Sequence, residues 1–147
     1  MHGLWVFLHL SGVVIWVGGM FFALHCLHPA AADLQPQQRV PLMVGALGRF
    51  FNMVLVALVL IWVSGLAMLM PVGFKGAPPG WHLMITLGTI MTVVFLIIRF
   101  AMYPRAVSGV ARADLPSVAR VLGRIRPLVI TNMVLGFLAI AAVSMLR

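Results

Sequence analysis

Four long apolar stretches, residues 3–26, 50–72, 81–102 and 127–146, divide this chain. Each reaches the roughly 20 residues that a helix needs to cross the hydrocarbon core of a bilayer. The pattern predicts an all-α integral membrane protein, a four-transmembrane-helix bundle forming one domain over residues 1–147. The connection over residues 73–80 is short and carries Gly and Pro, as a tight helical hairpin requires. The other two connections are longer, and each holds a segment suited to an amphipathic helix on the membrane surface. Asp114 followed by Pro116 marks a helix start. Leu115, Val118 and Leu122 then share one face, which leaves Arg112, Arg120 and Arg124 to lipid head groups.

Composition agrees with this reading. The chain is 63% hydrophobic and 8% charged, whereas charged residues make up about a quarter of a soluble globular chain. The first stretch is not expected to be a removable signal peptide. No basic segment precedes it, its apolar run is about twice the usual length, and no small-residue cleavage site is evident. The single cysteine, Cys26, rules out an intrachain disulfide.

The net charge of +8 raises the question of nucleic acid, and its distribution answers it. Arg39 and Arg49 lie between the first two stretches. Arg99, Arg105, Arg112, Arg120, Arg124 and Arg126 lie at or between the ends of the last two, and only Lys75 and Arg147 fall on the opposite side. Positive charge marks cytoplasmic loops, so both termini are expected to face outward. A basic loop beside anionic lipid needs no nucleic-acid partner; the expected partner is the bilayer.

The halves also echo each other. His9-Leu10 recurs as His82-Leu83, Pro29 as Pro104, and Ala32-Asp33-Leu34 as Ala113-Asp114-Leu115. Leu47-Gly48-Arg49 recurs as Leu122-Gly123-Arg124, and Asn52-Met53-Val54-Leu55 as Asn132-Met133-Val134-Leu135. The order is the same in both halves. Two duplicated helical hairpins would account for it, as a parallel repeat about an axis along the membrane normal. His9 and His82 would then stand at matching depth near the outer surface.

An imidazole inside a bilayer is costly without a partner, and two at one depth suggest a shared guest, a metal ion or a haem iron. On the first helix His9, Gly12, Trp16 and Gly19 fall on one face, with His2 and Trp5 extending it outward. Glycines there admit either another backbone or a flat ligand. The plainer reading is a helix-packing seam with His9 bonded to a neighbouring hydroxyl or carbonyl. Met68, Met70, Met84 and Met145, with Met1 and His2, enrich the same end in thioether. Thioether with imidazole suits Cu(I), although Met is also an ordinary core filler. At the inner end, His25 and His28 are one turn apart, with Cys26 on a different side; the cluster is either solvated or a copper or zinc site. The outer and inner groups are about 24 Å apart along the helix. The stretches hold no Asp or Glu, and no nucleotide or hydrolase motif is present. Asn52 and Asn132 are suited to bridging helices.

The run His9-Leu-Ser-Gly-Val-Val-Ile-Trp16-Val-Gly18-Gly19-Met20 resembles the opening helix of CopD/PcoD-type copper-resistance membrane proteins, in which a His, a Trp seven residues on and a paired Gly are typical. Ile125-Arg126-Pro127-Leu128 with Asn132-Met-Val-Leu-Gly136 is similar to that family's last span. The likeness is to short four-helix members. It implies copper uptake or tolerance at the bacterial inner membrane, with His9 and His82 as candidate ligands. HemJ-type protoporphyrinogen oxidases, which bind haem b, share the shape and a Trp–His–Lys-like start to the third helix; here Trp81 and His82 fit, and Met84 stands where a Lys is expected.

Three readings follow. In the first, the chain handles copper through an outward site of His9, His82 and Met84, joined by His2, Met68 and Met70, and His25, Cys26 and His28 receive the ion inside. In the second, His9 and His82 are axial ligands of haem b, Gly12 and Trp16 flank it, and the protein transfers electrons or is a haem-dependent oxidoreductase. In the third, it is a structural accessory subunit without a cofactor. A homodimer would enlarge so small a membrane core.

Overall fold

A computed structural model describes residues 1–146. Four helices account for nearly all of them: α1, His2–Ala31; α2, Pro36–Leu69; α3, Pro79–Ala111; and α4, Leu115–Met145. No strand occurs among the described residues. Each helix is long and apolar enough to cross a membrane.

The helices are longer than the apolar stretches. With 30 to 34 residues each, they extend about 45–50 Å, against a hydrocarbon thickness of about 30 Å. The excess lies at the arginine-rich end. The segments expected as separate surface helices are instead continuous with the spans: α2 starts at Pro36, α3 runs on to Ala111, and α4 starts at Leu115. The helix start at Asp114 is as expected, its carboxylate accepting from the Ser117 amide at 3.3 Å. Pro41 and Pro127 lie inside helices.

Helix α1 packs along α2, and α3 along α4. The two hairpins close on a core that includes Trp16, Met20, Phe51, Val54, Phe95 and Ile98. Its centre is aromatic. Phe51 meets Phe95 and Tyr103 edge-on at 5.8 and 5.4 Å, and Trp16 meets Phe95 edge-on at 6.0 Å. These are the arrangements that aromatic quadrupoles favour. Phe7, Val14, Val59 and Phe137 are exposed on the outside, where lipid takes the place of water.

Because lipid tails are as apolar as leucine, the hydrophobic effect does little to hold one spanning helix on another, and interhelical hydrogen bonds gain weight. Three tie the hairpins together, and a fourth joins α3 to α4 within one of them. Asn132 Nδ2 donates to the Met91 carbonyl at 3.0 Å, and Arg99 Nη2 to Asn52 Oδ1 at 3.2 Å. Tyr103 donates to the Val44 carbonyl at 2.8 Å, and Trp62 Nε1 to Thr92 Oγ1 at 3.2 Å. Asn52 and Asn132 thus bridge helices, as their residue type suggested.

Three π turns interrupt the α pattern, at Val14–Gly18, Ala23–Leu27 and Ile98–Met102. Two of them precede prolines: Leu27 comes two residues before Pro29, and Met102 two residues before Pro104. A proline has no N–H for the carbonyl four residues earlier, and an i+5 bond bypasses that gap. These are the prolines that echo each other in the sequence, so the two halves share a local geometry as well as a motif.

Candidate functional site

His9 stands two turns into α1 and reaches across to α2. Its Nδ1 is 3.0 Å from the Ile61 carbonyl and 3.1 Å from Ser64 Oγ. A carbonyl only accepts, so Nδ1 carries the proton, and in the neutral ring Nε2 is the nitrogen with the free lone pair. Ser64 donates its own hydrogen to the Leu60 carbonyl, which leaves its oxygen to face the imidazole. Gly65 makes room for the ring: a Cβ there would stand 3.3 Å from His9 Cε1. Metal-binding histidines are commonly oriented by such a bond from their other nitrogen to a carbonyl. A purely structural histidine uses it too.

His82 lies in the first turn of α3, half-buried, with its ring edge-on to Phe74 at 4.5 Å. His9 and His82 therefore sit at the same end of the bundle but on different hairpins, and share no hydrogen-bond partner among the described residues. Met68 and Met84 are half-buried at that end, while Met70 and His2 are exposed. Nowhere among the described residues do three or more His, Cys, Asp or Glu side chains gather around one point. A metal held here by His9 and His82 would need thioether sulfur to complete its shell, which is a Cu(I) ligand set.

The glycines and tryptophan of the α1 face pack against neighbouring helices. A Cβ on Gly12 would fall 2.9 Å from the Ala57 carbonyl oxygen and 2.7 Å from Ile61 Cγ1. Gly12 thus brings α1 against the backbone of α2, with the Ile61 side chain beside it. Trp16 is buried against Phe95. A Cβ on Gly19 would overlap the Phe50 ring. The face packs closely against α2 and α3, with His9 at its outer end.

The inner group is dispersed. His25 bonds through Nδ1 to the Phe21 carbonyl of its own helix at 3.1 Å and stacks on the Phe21 ring at 4.4 Å. Cys26 is exposed. His28 lines a cavity of about 370 Å³ bounded by α1, α2 and α4, with Arg39 and Arg126 also on its wall. Both guanidinium charges are close enough to act on His28, and like charges at short range oppose a bound cation.

Sequence reasoning missed the Ile61–Ser64–Gly65 seat of His9. The available signal was a hydroxyl beside a glycine in an otherwise apolar run, one helix away. It also placed Arg99 at the end of the third stretch without a partner. Arg99 lies in a π turn, with its guanidinium 5.3 Å from the Phe100 ring centre and 5.5 Å from that of Tyr103.

The family model of copper resistance protein D matches residues 44–146. The chain belongs to this family. The match takes in most of α2 and all of α3 and α4, so His82, Met68, Met70, Met84 and the Ile125–Gly136 stretch lie within it. His9, Gly12, Trp16, His25, Cys26 and His28 precede it. No curated protein and no solved structure matches the chain significantly. The protein is thus a four-helix, multi-pass membrane member of the copper resistance protein D family.

Proposed function

We propose that this protein handles copper at the bacterial inner membrane, taking up or sequestering the ion as cargo through an outward-facing His/Met site. The family match over residues 44–146 carries this reading. His9 Nε2 is the free nitrogen of an imidazole fixed in place by α2. His82 supplies a second imidazole, and Met84, Met68 and Met70 supply thioethers at the same end. His2 is exposed at the same end. Soft sulfur and imidazole in a low-dielectric setting favour Cu(I) over harder divalent ions. Both termini and the Lys75 loop face outward in this reading, because the arginines gather at the other end.

The test is Cu(I) affinity of the purified protein, by competition with a colorimetric chelator. His9→Ala and His82→Ala are each expected to weaken binding by at least about tenfold, the scale on which even orienting partners of metal ligands act. Ser64→Ala should weaken it less, since the Ile61 carbonyl still orients the ring. Affinity unchanged in both histidine variants would remove the outer site and leave His9 a packing residue.

A further inference from the structure

The inner ends of α3 and α4 form a groove of about 580 Å³, within the size range of small-ligand sites. Arg105 and Ser108 on α3 and Arg112 just past its end follow one another at helical spacing, and Ser117, Arg120 and Arg124 do so on α4. The two rows face each other across the groove. The close approach of the helices makes this possible. A Cβ on Gly109 would meet Val118 Cγ2 at 2.5 Å, and Ala113, with φ 54°, completes the tight turn between them.

Two independent features mark the groove as a site for an anion. First, four guanidinium groups line it and no carboxylate does. The chain has only two acidic residues, and Asp114, the nearer in sequence, caps α4. So many like charges around one hollow repel one another unless a counter-charge enters. Second, the chain has nine Ser and Thr side chains, and seven donate to the carbonyl four residues back: Ser11, Ser64, Thr86, Thr89, Thr92, Thr131 and Ser144. That is the usual outlet for a helical hydroxyl. The two that do not are Ser108 and Ser117, both on the groove; Ser117 stands in the first turn of α4, with no helical carbonyl four residues back, so Ser108 is the exception within a helix.

We propose that this groove binds a phosphoryl group, with Arg105, Arg112, Arg120 and Arg124 pairing with its oxygens and Ser108 and Ser117 donating hydrogen bonds to them. Guanidinium forks match phosphate oxygens two at a time. The chemistry is that of an anionic phospholipid head group or of free phosphate. The site lies far from the copper-handling end and does not depend on that reading.

The experiment uses the full-length protein, delipidated in a neutral detergent, with native mass spectrometry to count bound lipid and a titration to give affinity. One arm offers phosphatidylglycerol, one phosphatidylcholine and one inorganic phosphate. Phosphatidylglycerol is expected to bind at one saturable site per chain, at least tenfold more tightly than phosphatidylcholine. Arg120→Gln and Arg112→Gln should each weaken it by about tenfold, a charge-assisted bond being worth one to two decades in affinity. Arg49→Gln, exposed and off the groove, loses the same charge and should have little effect. Ser108→Ala with Ser117→Ala loses no charge, and should weaken binding several-fold. Displacement of the lipid by millimolar phosphate would support the site with a soluble occupant, and no displacement would support the head group. Equal losses in Arg49→Gln and Arg120→Gln, with no change in the serine pair, would overturn the proposal in favour of diffuse attraction. Failure of both phosphatidylglycerol and phosphate to bind would overturn it as well.

Discussion

Replacing Gly80 by alanine is expected to destabilise the bundle more than any other single methyl addition at a glycine. Gly80 opens α3, and its amide donates to the Leu146 carbonyl at 3.1 Å, clasping the start of α3 to the end of α4. A Cβ there would stand 2.6 Å from the Ala142 carbonyl oxygen and would overlap the Leu146 oxygen. Both obstacles are backbone, so no rotamer change relieves them. Overpacking costs about 1–3 kcal/mol where side chains can shift, and the upper end applies here. Gly88→Ala is the matched control. Nothing lies within 4 Å of a Cβ at Gly88, and alanine in an open helical position gains up to about 1 kcal/mol over glycine. Thermal unfolding in detergent should separate the two by several degrees, with Gly80→Ala below the natural protein and Gly88→Ala at or above it. Equal melting temperatures would mean that the clasp contributes nothing.

Asn132→Asp should be nearly as damaging, for a reason of charge instead of size. Asn132 is 2% exposed, and its amide nitrogen holds the Met91 carbonyl across the α3–α4 seam. Aspartate puts an oxygen where that donor was, facing another oxygen, at a position closed off by the surrounding helices. An Asp at the centre of a spanning helix costs about 2.5–3.5 kcal/mol on insertion scales, and the lost bond adds to it. Asn132→Leu tests the same position without charge. Asn132 Oδ1 is buried and unpartnered, so leucine removes an unsatisfied oxygen together with the bond, and the two nearly offset, to within about 1 kcal/mol. The expected order of stability is natural protein and Asn132→Leu together, with Asn132→Asp well below. If the aspartate variant proved as stable as the leucine one, Asn132 would not be enclosed as described.

Both predictions concern the seam between α3 and α4, which hydropathy does not reveal. Hydropathy located all four spans because crossing lipid demands a long apolar run and little else. It misjudged their ends because it measures solubility in lipid, not helicity. At Arg49, Arg99 and Arg126 the chain becomes polar, but its hydrogen-bonding pattern does not change, and the helices continue. The face of His9, Gly12, Trp16 and Gly19 was legible from spacing, since one period governs both packing and binding. Which of the two it serves depends on the neighbouring helix. Only the position of α2 shows that Ile61 fills the space above Gly12. The groove of arginines was half legible: the spacing on each helix is in the sequence, and the turn at Ala113 that folds one row onto the other is not.

The π turns make the helices unequal in their tolerance of changes in chain length. Each holds one residue more than an α turn would need, so removing a residue from Val14–Gly18 would let α1 revert locally and take up the deletion where it occurs. Helix α2 is α-helical from Pro36 to Leu69 without such slack. There a one-residue deletion would swing everything beyond it by about 100°, carrying Ser64 and the Ile61 carbonyl out of reach of His9.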